Sequence, residues 1–307
     1  MRTAFIQTLC EEAKHDDRIW LLTGDLGYSV LESFANRFPD RYLNVGVAEQ
    51  NMAGLAAGLA LTGKIVFIYS IANFPIMRCL EQIRNDICYH NINVNIVSVG
   101  GGLEYGTAGY THYAIEDLAV MRSMPNMTVV SPGDPIETSL AIKAIIKQQG
   151  PCYLRLGKAG EPIVYNTQPN FEIGKPIKIK GGKDVTLLST GGMLKETIDA
   201  SELLEKDGIS AGVLSMHTVK PINSKFVLES LNTKLTVVIE EHSSIGGLGS
   251  AIADILVKTN GNYPQLLAIN IGSALPEKVG SQIWLRNKYG LDAQSIYQRV
   301  REKINGQ

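Results

Sequence analysis

Apolar and polar positions follow two alternating rhythms along the chain. Short runs that are apolar on nearly every residue predict strands at 19–25, 42–46, 64–70, 94–100, 127–134 and 152–157. Longer amphipathic stretches between them predict helices at 47–61, 74–89, 115–123 and 135–148. Continuously apolar strands separated by helices are typical of a parallel sheet covered by helices on both faces.

The alternation of predicted strands and helices is interrupted once and then continues. Residues 159–182 contain prolines and glycines without sustained periodicity, which predicts a linker. Beyond it, strands are predicted at 184–192, 209–221, 235–242 and 265–272, and helices at 193–208, 247–258 and 291–304. We therefore expect two three-layer α/β domains, each with a mostly parallel sheet, at 1–158 and 183–307.

Composition narrows the class of protein. The 307 residues include 45% hydrophobic and 19% charged side chains, and the formal net charge is -1. This balance gives no electrostatic reason to expect nucleic acid or an anionic membrane as a partner. The N-terminal residues have no signal-peptide pattern, and the apolar run 53–61 is too short to span a bilayer. The four cysteines show no disulfide or zinc spacing, so we expect reduced thiols in a cytoplasmic protein.

Glu49 is the first candidate for chemistry. It opens the predicted helix of VGVAEQNMAGLAAGLALTG (45–63), directly after a predicted strand. A carboxylate in the first turn of a helix can simply complement the helix dipole. The carboxyl end of a strand in an open α/β sheet is also where ligands bind, which favours a functional role.

This segment resembles the glutamate motif in the pyrimidine-binding domain of transketolases and related thiamine-diphosphate enzymes. The resemblance implies that Glu49 hydrogen-bonds N1′ of the cofactor's aminopyrimidine. That bond favours the imino tautomer, whose 4′-nitrogen removes the proton from C2 of the thiazolium. A carboxylate in a dry site prefers to share a proton, which suits this role.

The segment KIVFIYSIANFPIMRCLEQIRND (64–86) resembles the next part of the same family. Two aromatic residues three positions apart flank the aminopyrimidine in many members. The matching pair here is Ile71 and Phe74, and Tyr69 is a nearby substitute for the missing aromatic. For Phe74, the alternative to a contact with the aminopyrimidine is packing in the core. For Tyr69, packing in the core is the favoured interpretation.

The segment SVGGGLEYGTAGYTHYAIEDLAVMRSMPNMTVVSPGD (98–134) resembles the family most closely. The resemblance implies that His112 contacts the donor sugar beside the reacting carbon. Ala108 stands where an aspartate is usual, and the position of an earlier histidine falls within the glycines at 100–102. The arginine that binds the acceptor phosphate falls near Lys158, with Arg155 upstream. Lysine can bind phosphate but lacks the bidentate fork of arginine.

The second half resembles the transketolase C-terminal domain through LLSTGG, SMHTVKPI and VVIEEHSSIGGLGSAIAD. Gly246, Gly247 and Gly249 could cradle a phosphate at a helix N-terminus, but a tight strand-to-helix turn is the better interpretation. Glu241 and His242 are expected to be structural residues or residues at the rim of the site.

One family feature is missing from the sequence. No GDG motif, which holds Mg²⁺ and the diphosphate in this family, occurs in the chain. The resemblance therefore implies a separate partner subunit carrying the GDG domain, in an α2β2 hetero-oligomer. The cofactors would be thiamine diphosphate and Mg²⁺, the latter bound mainly by the partner.

The expected activity is transfer of a two-carbon ketol unit from a ketose or ketose phosphate to an aldehyde, as part of carbohydrate metabolism. A 2-oxoacid dehydrogenase β-subunit, a deoxyxylulose-phosphate-synthase-like subunit and a non-catalytic partner are the alternatives. A dinucleotide-binding domain is disfavoured because no GxGxxG follows a strand in the required context.

Overall fold

The computed structural model describes residues 1–258 and 263–306. Positions 259–262 and 307, which belong to the predicted domain 183–307, lie outside the described residues. The first half contains α1 (Arg2–Ala13), β1 (Ile19–Thr23), α2 (Glu32–Arg37), β2 (Tyr42–Asn44), α3 (Glu49–Leu61), β3 (Ile65–Ile71), α4 (Phe74–Arg78), α5 (Leu80–Gln82), a π-helical turn (Ile83–Cys88), β4 (Val94–Val99), α6 (Asp117–Ser123), β5 (Thr128–Val130), α7 (Pro135–Lys147) and β6 (Cys152–Leu156).

The second half continues the alternation of strands and helices. It contains β7 (Ile177–Lys180), β8 (Val185–Ser189), α8 (Leu194–Lys206), β9 (Ala211–Ser215), β10 (Thr218–Lys220), α9 (Ser224–Ser230), β11 (Leu235–Ile239), α10 (Leu248–Val257), β12 (Gln265–Ile269), α11 (Gln282–Tyr289) and α12 (Ala293–Asn305).

The strands of the described residues form two sheets. The first has the order β10-β5-β6-β4-β3-β1-β2, and the second has the order β12-β11-β8-β9-β7. All neighbours are parallel except β10 beside β5 and β7 beside β9. Because parallel strands need crossover connections, helices cover both faces of each sheet. The predicted fold class, two three-layer α/β domains with mostly parallel sheets, is confirmed.

Three apolar clusters hold these layers together. One lies between the first sheet and α1 and α7, with Phe5, Phe67 and Ile142 among its members. A second lies under α3 and continues into the second half of the chain, so that Met52 and Leu248 belong to the same cluster. The third fills the space between the second sheet and α8 and α12. Burial of apolar surface on both faces of the strands explains their continuous hydrophobicity.

Several elements differ from the predicted ones. The segment 209–221 was expected to be one strand and turn, but it divides into β9 of the second sheet and β10, which pairs with β5 of the first. Residues 177–180, within the predicted linker, form β7. The predicted helix 74–89 is interrupted at Cys79, whose φ of -114° and ψ of 18° leave the helical region. Helices α1, α2, α9 and α11 were not predicted.

The added strand β10 has a clear physical role. Without it, β5 would be the edge of the first sheet, with unpaired backbone groups. Thr218 pairs with Val130, and Ser131 donates its backbone N–H to the carbonyl of His217 at 2.7 Å. The two halves of the chain therefore share one sheet, which positions the loops at its carboxyl edge relative to the second domain.

Candidate functional site

Glu49 lies where the carboxyl ends of the central strands meet the start of α3. It is the first residue of this helix, and its side chain is only 5% exposed. A Cβ atom added to Gly24, which directly follows β1, would lie 3.6 Å from Cγ of Glu49. Glu49 is therefore buried beside the end of β1, at the edge of the sheet where ligands of open α/β folds bind.

One carboxylate oxygen of Glu49 is paired with Arg78. The guanidinium Nη1 of Arg78 donates a short hydrogen bond to Oε1 of Glu49. Among the described residues no hydrogen bond to Oε2 is found. Both residues line a cleft of about 440 Å³ together with Val47, Ala48, Gln50 and Asn51. Glu49 thus presents a buried carboxylate with one oxygen available at an open cleft.

Arg78 also covers the ring of Phe74. Its guanidinium carbon lies 4.2 Å from the ring centroid, because Phe74 and Arg78 begin and end the five-residue helix α4 and so share one face. Sequence reasoning did not identify Arg78. Its spacing of four residues from Phe74 in a helical segment was the available signal.

His112 reaches the same place from a different loop. Its ring centroid lies 5.2 Å from that of Phe74, at an interplanar angle of 61°. Two hydrogen bonds fix this loop: Asn73 Nδ2 donates to the carbonyl of Thr111 at 2.6 Å, and the Thr111 hydroxyl lies 2.9 Å from Nδ1 of His112. The structure therefore brings the predicted residues Glu49, Phe74 and His112 together.

Lys158 joins this group through Tyr105. The Tyr105 ring centroid lies 6.1 Å from that of His112, and Nζ of Lys158 lies 4.6 Å from the Tyr105 ring centroid. The Lys158 side chain is exposed. We call the connected side chains the contact row, which consists of Glu49, Arg78, Phe74, His112, Tyr105 and Lys158.

A carboxyl group with a raised pKa supports the Lys158 end of the contact row. The backbone N–H of Lys158 donates to Oε2 of Glu104. Burial raises the pKa of Glu104 to about 8, and the nearby charges of Glu161 and Glu241 add to the effect. Glu104 therefore holds a proton in a range where an ordinary glutamate has lost it.

Tyr69 and Ile71 lie elsewhere on β3. Tyr69 is buried on the face of the sheet opposite α3, where its ring stacks on Phe5 at a centroid distance of 5.8 Å. Burial raises the pKa of its hydroxyl to about 12. Ile71 is the last residue of β3 and is half-buried. The alternation of side chains along a strand explains why Tyr69 packs against α1 rather than beside Glu49.

Arg155 is part of an internal ion pair. It is 5% exposed on β6, and its Nε donates to Oδ2 of the fully buried Asp117 at 2.7 Å. Nη2 donates to the carbonyls of Ala114, at 2.7 Å, and Glu241, at 3.1 Å. The Tyr153 hydroxyl donates to the same Asp117 oxygen at 2.7 Å. These hydrogen bonds hold the Arg155 guanidinium in the interior of the protein. The Lys158 side chain, in contrast, is exposed.

The glycine-rich turn before α10 is filled by a carboxylate of the chain itself. Glu240, 1% exposed, accepts hydrogen bonds from the backbone N–H groups of Leu248 at 2.6 Å and Gly249 at 2.9 Å. A Cβ atom at Gly247 would lie only 2.1 Å from Oε2 of Glu240. This arrangement supports the predicted tight turn, because Glu240 already satisfies the helix N-terminus where a phosphate would bind.

Glu241 and His242 were predicted to be structural or rim residues, and both are buried, with contacts inside the protein. Glu241 accepts from the backbone N–H of Leu103 at 2.8 Å and from Nε of Arg286 at 2.8 Å. His242 is fully buried, with Nε2 lying 3.9 Å from Oδ1 of Asp117. Through these bonds the second half of the chain supports the glycine-rich loop that leads to His112.

Three further properties of the described residues bear on the site. Within residues 1–258 and 263–306, no group of three or more His, Cys, Asp or Glu side chains is arranged to hold a metal ion. Across the same residues, no helix is long and apolar enough to cross a membrane. All four cysteines are buried and unpaired by disulfides.

Comparison with known families agrees with this geometry. Residues 1–160 match the family described as "Transketolase, pyrimidine binding domain", and residues 174–296 match "Transketolase, C-terminal domain". The chain therefore belongs to the transketolase family, which implies dependence on thiamine diphosphate.

The relatives point to a particular branch of the family. The chain is 40% identical over 307 residues to a "Putative transketolase C-terminal section" of Methanocaldococcus jannaschii, covering 99% of this chain and 96% of the relative. It is 38% identical to the "6-deoxy-6-sulfo-D-fructose transketolase subunit SqwH" of Clostridium sp., covering 98% and 94%.

A solved structure described as "Split gene transketolase, inactive beta4 tetramer" matches with a TM-score of 0.89 and 38% identity, covering 99% of this chain and 97% of that one. Close relatives are thus C-terminal sections or subunits of split transketolases, which confirms the resemblance stated from the sequence.

Proposed function

We propose that this chain is the subunit of a split transketolase-type enzyme that carries the aminopyrimidine-activating glutamate. The complete enzyme transfers a two-carbon ketol unit from a ketose or ketose phosphate to an aldehyde acceptor. The observation that carries this proposal is the buried Glu49 carboxylate, which opens onto a cleft at the carboxyl edge of the sheet, next to Phe74 and His112.

The residues present suit an aminopyrimidine ring. Glu49 offers Oε2 from a side chain that is only 5% exposed, and Phe74, which contacts the same Arg78, offers an aromatic ring. We assign Glu49 and Phe74 to hold the ring, and Ile71 remains a prediction from the resemblance. We do not assign Tyr69 to the ring, because it stacks on Phe5 on the other face of the sheet. When bound, thiamine diphosphate supplies the nucleophilic carbon that breaks and forms carbon–carbon bonds next to a carbonyl group.

Glu49 acts in this proposal as the proton-sharing acid. With the ring bound, Glu49 would share one proton with N1′: the protonated carboxyl group would donate to the neutral ring, and the carboxylate would accept from the N1′–H of the imino tautomer. Burial of most of the Glu49 side chain at the start of α3 strengthens a hydrogen bond made there. A positioned acid or base of this kind contributes about 10²- to 10⁴-fold to rate.

His112 and Lys158 are the proposed substrate residues. His112 lies in the contact row beside Phe74, where its ring can hydrogen-bond a hydroxyl of the donor sugar. Lys158 is exposed at the end of the row and can attract an anionic acceptor. We assign Arg155 a structural role instead, because its guanidinium is bonded to Asp117 in the interior.

The diphosphate and Mg²⁺ require a second chain in this proposal. The sequence has no GDG motif, and the relatives with matching length are described as sections or subunits. We propose a partner subunit that carries the GDG domain and binds most of the metal ligands, in an α2β2 complex. The exposed face of α3, with Gly54, Leu55 and Gly58, suits close packing against another chain.

Calorimetry tests the need for a partner. The chain alone, titrated with thiamine diphosphate and Mg²⁺, should bind weakly or not at all. Addition of the GDG-bearing subunit should restore binding. Tight, metal-dependent binding by the pure chain would contradict the two-subunit proposal. Turnover of a 2-oxoacid donor but no ketose in the complete complex would favour the 2-oxoacid dehydrogenase alternative.

Replacement of Glu49 tests the catalytic assignment. Glu49→Gln is nearly isosteric but removes the acid, so turnover of the complete complex should fall by about 10²-fold or more. Glu32→Gln is a matched control, because Glu32 also begins a helix, α2, but is exposed. Near-normal turnover of Glu49→Gln would show that Glu49 only complements the helix dipole, and that the chain is not catalytic through this residue.

A further inference from the structure

Both groups that the proposed function assigns to the aminopyrimidine are already in contact with one side chain of this protein. Arg78 donates a hydrogen bond to Oε1 of Glu49, and its guanidinium carbon lies 4.2 Å from the centroid of the Phe74 ring. Phe74 and Arg78 occupy the first and last positions of α4. The contact between Arg78 and Phe74 therefore follows from the helix geometry itself.

The guanidinium resembles the cofactor ring in the chemistry it presents. It is planar, it carries N–H donors that suit a carboxylate, and it stacks on aromatic faces. An aminopyrimidine with a proton on N1′ that is held by Glu49 and Phe74 donates to the same acceptor and contacts the same ring. Arg78 and the cofactor ring are thus alternative partners for one pair of residues.

We propose that Arg78 is an internal competitor of the cofactor, which occupies Glu49 and Phe74 in the free chain and releases them when the aminopyrimidine binds. The inference rests on the proposed function, because that function places the ring at these two residues. It adds that Glu49 is kept paired, and its buried charge neutralised, until the cofactor arrives.

The surroundings of Arg78 permit this release. Its side chain is 46% exposed and lines the open cleft, so the guanidinium can move into water without leaving its own charge buried. The next residue, Cys79, interrupts the helix. Glu49, in contrast, is 5% exposed and needs a partner at all times, which either Arg78 or the cofactor supplies.

The contacts are weak enough to be displaced. A partly exposed ion pair and a partly exposed cation–π contact together correspond to about 3- to 30-fold in a binding constant. Removal of Arg78 should therefore tighten cofactor binding by about this factor, because no internal contact has to break first.

Calorimetry on the complete complex with the GDG-bearing subunit tests the proposal. Thiamine diphosphate with Mg²⁺ is titrated into wild type, Arg78→Met and Arg78→Lys. Methionine keeps much of the length but removes the charge and the donors, and lysine keeps the charge without the planar fork. Arg84→Met is the matched control, because it removes the same charge from the same segment. Arg84 is exposed, and among the described residues its guanidinium hydrogen-bonds only to Asn85.

We expect the Kd of Arg78→Met to be about 3- to 30-fold lower than that of wild type, that of Arg78→Lys to lie between them, and that of Arg84→Met to stay within about 2-fold. In a Glu49→Gln background, the effect of Arg78→Met should shrink clearly, because the two residues act as a pair.

The remaining outcomes separate this inference from the proposed function. An unchanged or higher Kd for Arg78→Met, in a wild-type complex that binds the cofactor, would overturn the role of Arg78 and leave the proposed function standing. Equal tightening by Arg84→Met would also overturn it, because the effect would then be one of general charge. A wild-type complex that does not bind the cofactor would overturn both.

Discussion

Replacement of Arg155 distinguishes a structural role of this residue in the interior from a role in substrate binding. Arg155→Met removes a guanidinium that is 5% exposed and bonded to Asp117 at 2.7 Å. Methionine occupies a similar length but donates no hydrogen bond. The variant leaves the Asp117 carboxylate with the Tyr153 hydroxyl as its nearest partner, and the carbonyl of Ala114 keeps the backbone N–H of Gly102 as a donor but loses the guanidinium. The folded chain should therefore be destabilised before any effect on substrate is seen.

The expected cost is large because the ion pair is buried. Removal of one partner from such a pair costs about 3–5 kcal/mol, since the other charge stays in the interior without compensation. Typical domains are stable by only about 5–15 kcal/mol, so this is a substantial fraction of the total. A loss of this size corresponds to a decrease of roughly 6–20 °C in the unfolding temperature.

Differential scanning calorimetry measures this decrease, with Lys158→Met as the control. Lys158 is exposed, so its variant should unfold within about 0.5 kcal/mol of wild type. The double variant Arg155→Met/Asp117→Leu should lose less than the sum of the single variants, because both charges leave together. An Arg155→Met variant with wild-type stability and a raised KM for a phosphorylated aldehyde would refute the structural role of Arg155.

Three further predictions concern the site. Phe74→Ala should raise the cofactor concentration for half-activity by about 2- to 13-fold, whereas Phe38→Ala, which also removes a half-buried ring under an arginine, should only lower the unfolding temperature. If the cofactor concentration for half-activity is unchanged in Phe74→Ala, the Phe74 ring is part of the apolar core and not of the cofactor site. Exposed Ala108 accepts no hydrogen bond, so the enzyme should discriminate weakly between glycolaldehyde and propionaldehyde; Ala108→Asp should sharpen the preference for glycolaldehyde, and exposed Thr107→Asp should not. A strong native preference that is unaltered in Ala108→Asp would mean that another residue binds the hydroxyl. The pKa of Glu104 is raised to about 8, so its folded form holds a proton more tightly than its unfolded form; the stability this adds is complete below the ordinary carboxyl pKa and is lost as the pH rises through about 8. The unfolding temperature of wild type should therefore fall more between about pH 6 and pH 9 than that of Glu104→Gln, and equal pH dependence would contradict this.

The sequence alone determined the layers of the fold and the loops that carry the site. Continuous apolar runs identified most strands, because a strand covered on both faces must be hydrophobic along its length. The position of Glu49 after a strand and before a helix placed it at the carboxyl edge of the sheet. Phe74 and His112 follow β3 and β4 at the same edge, and the parallel topology explains why these side chains, predicted from the family resemblance, approach Glu49.

The partners of charged side chains were decided only by the tertiary structure. Arg155 and Asp117 are 38 residues apart, and Arg78 is 29 residues from Glu49. No local period records such distances, because the partner of a charge is set by which elements pack together. Tyr69 likewise faces α1 only once the sheet has acquired its two layers of helices.

The division of one segment between the two sheets was also not predictable from the sequence pattern. A single apolar segment, 209–221, supplies β9 to one sheet and β10 to the other. Hydrophobicity indicates that such a segment is buried and extended, but not which strand edge satisfies its backbone groups. That choice depends on the edge left open by β5, which exists only when the first sheet has formed.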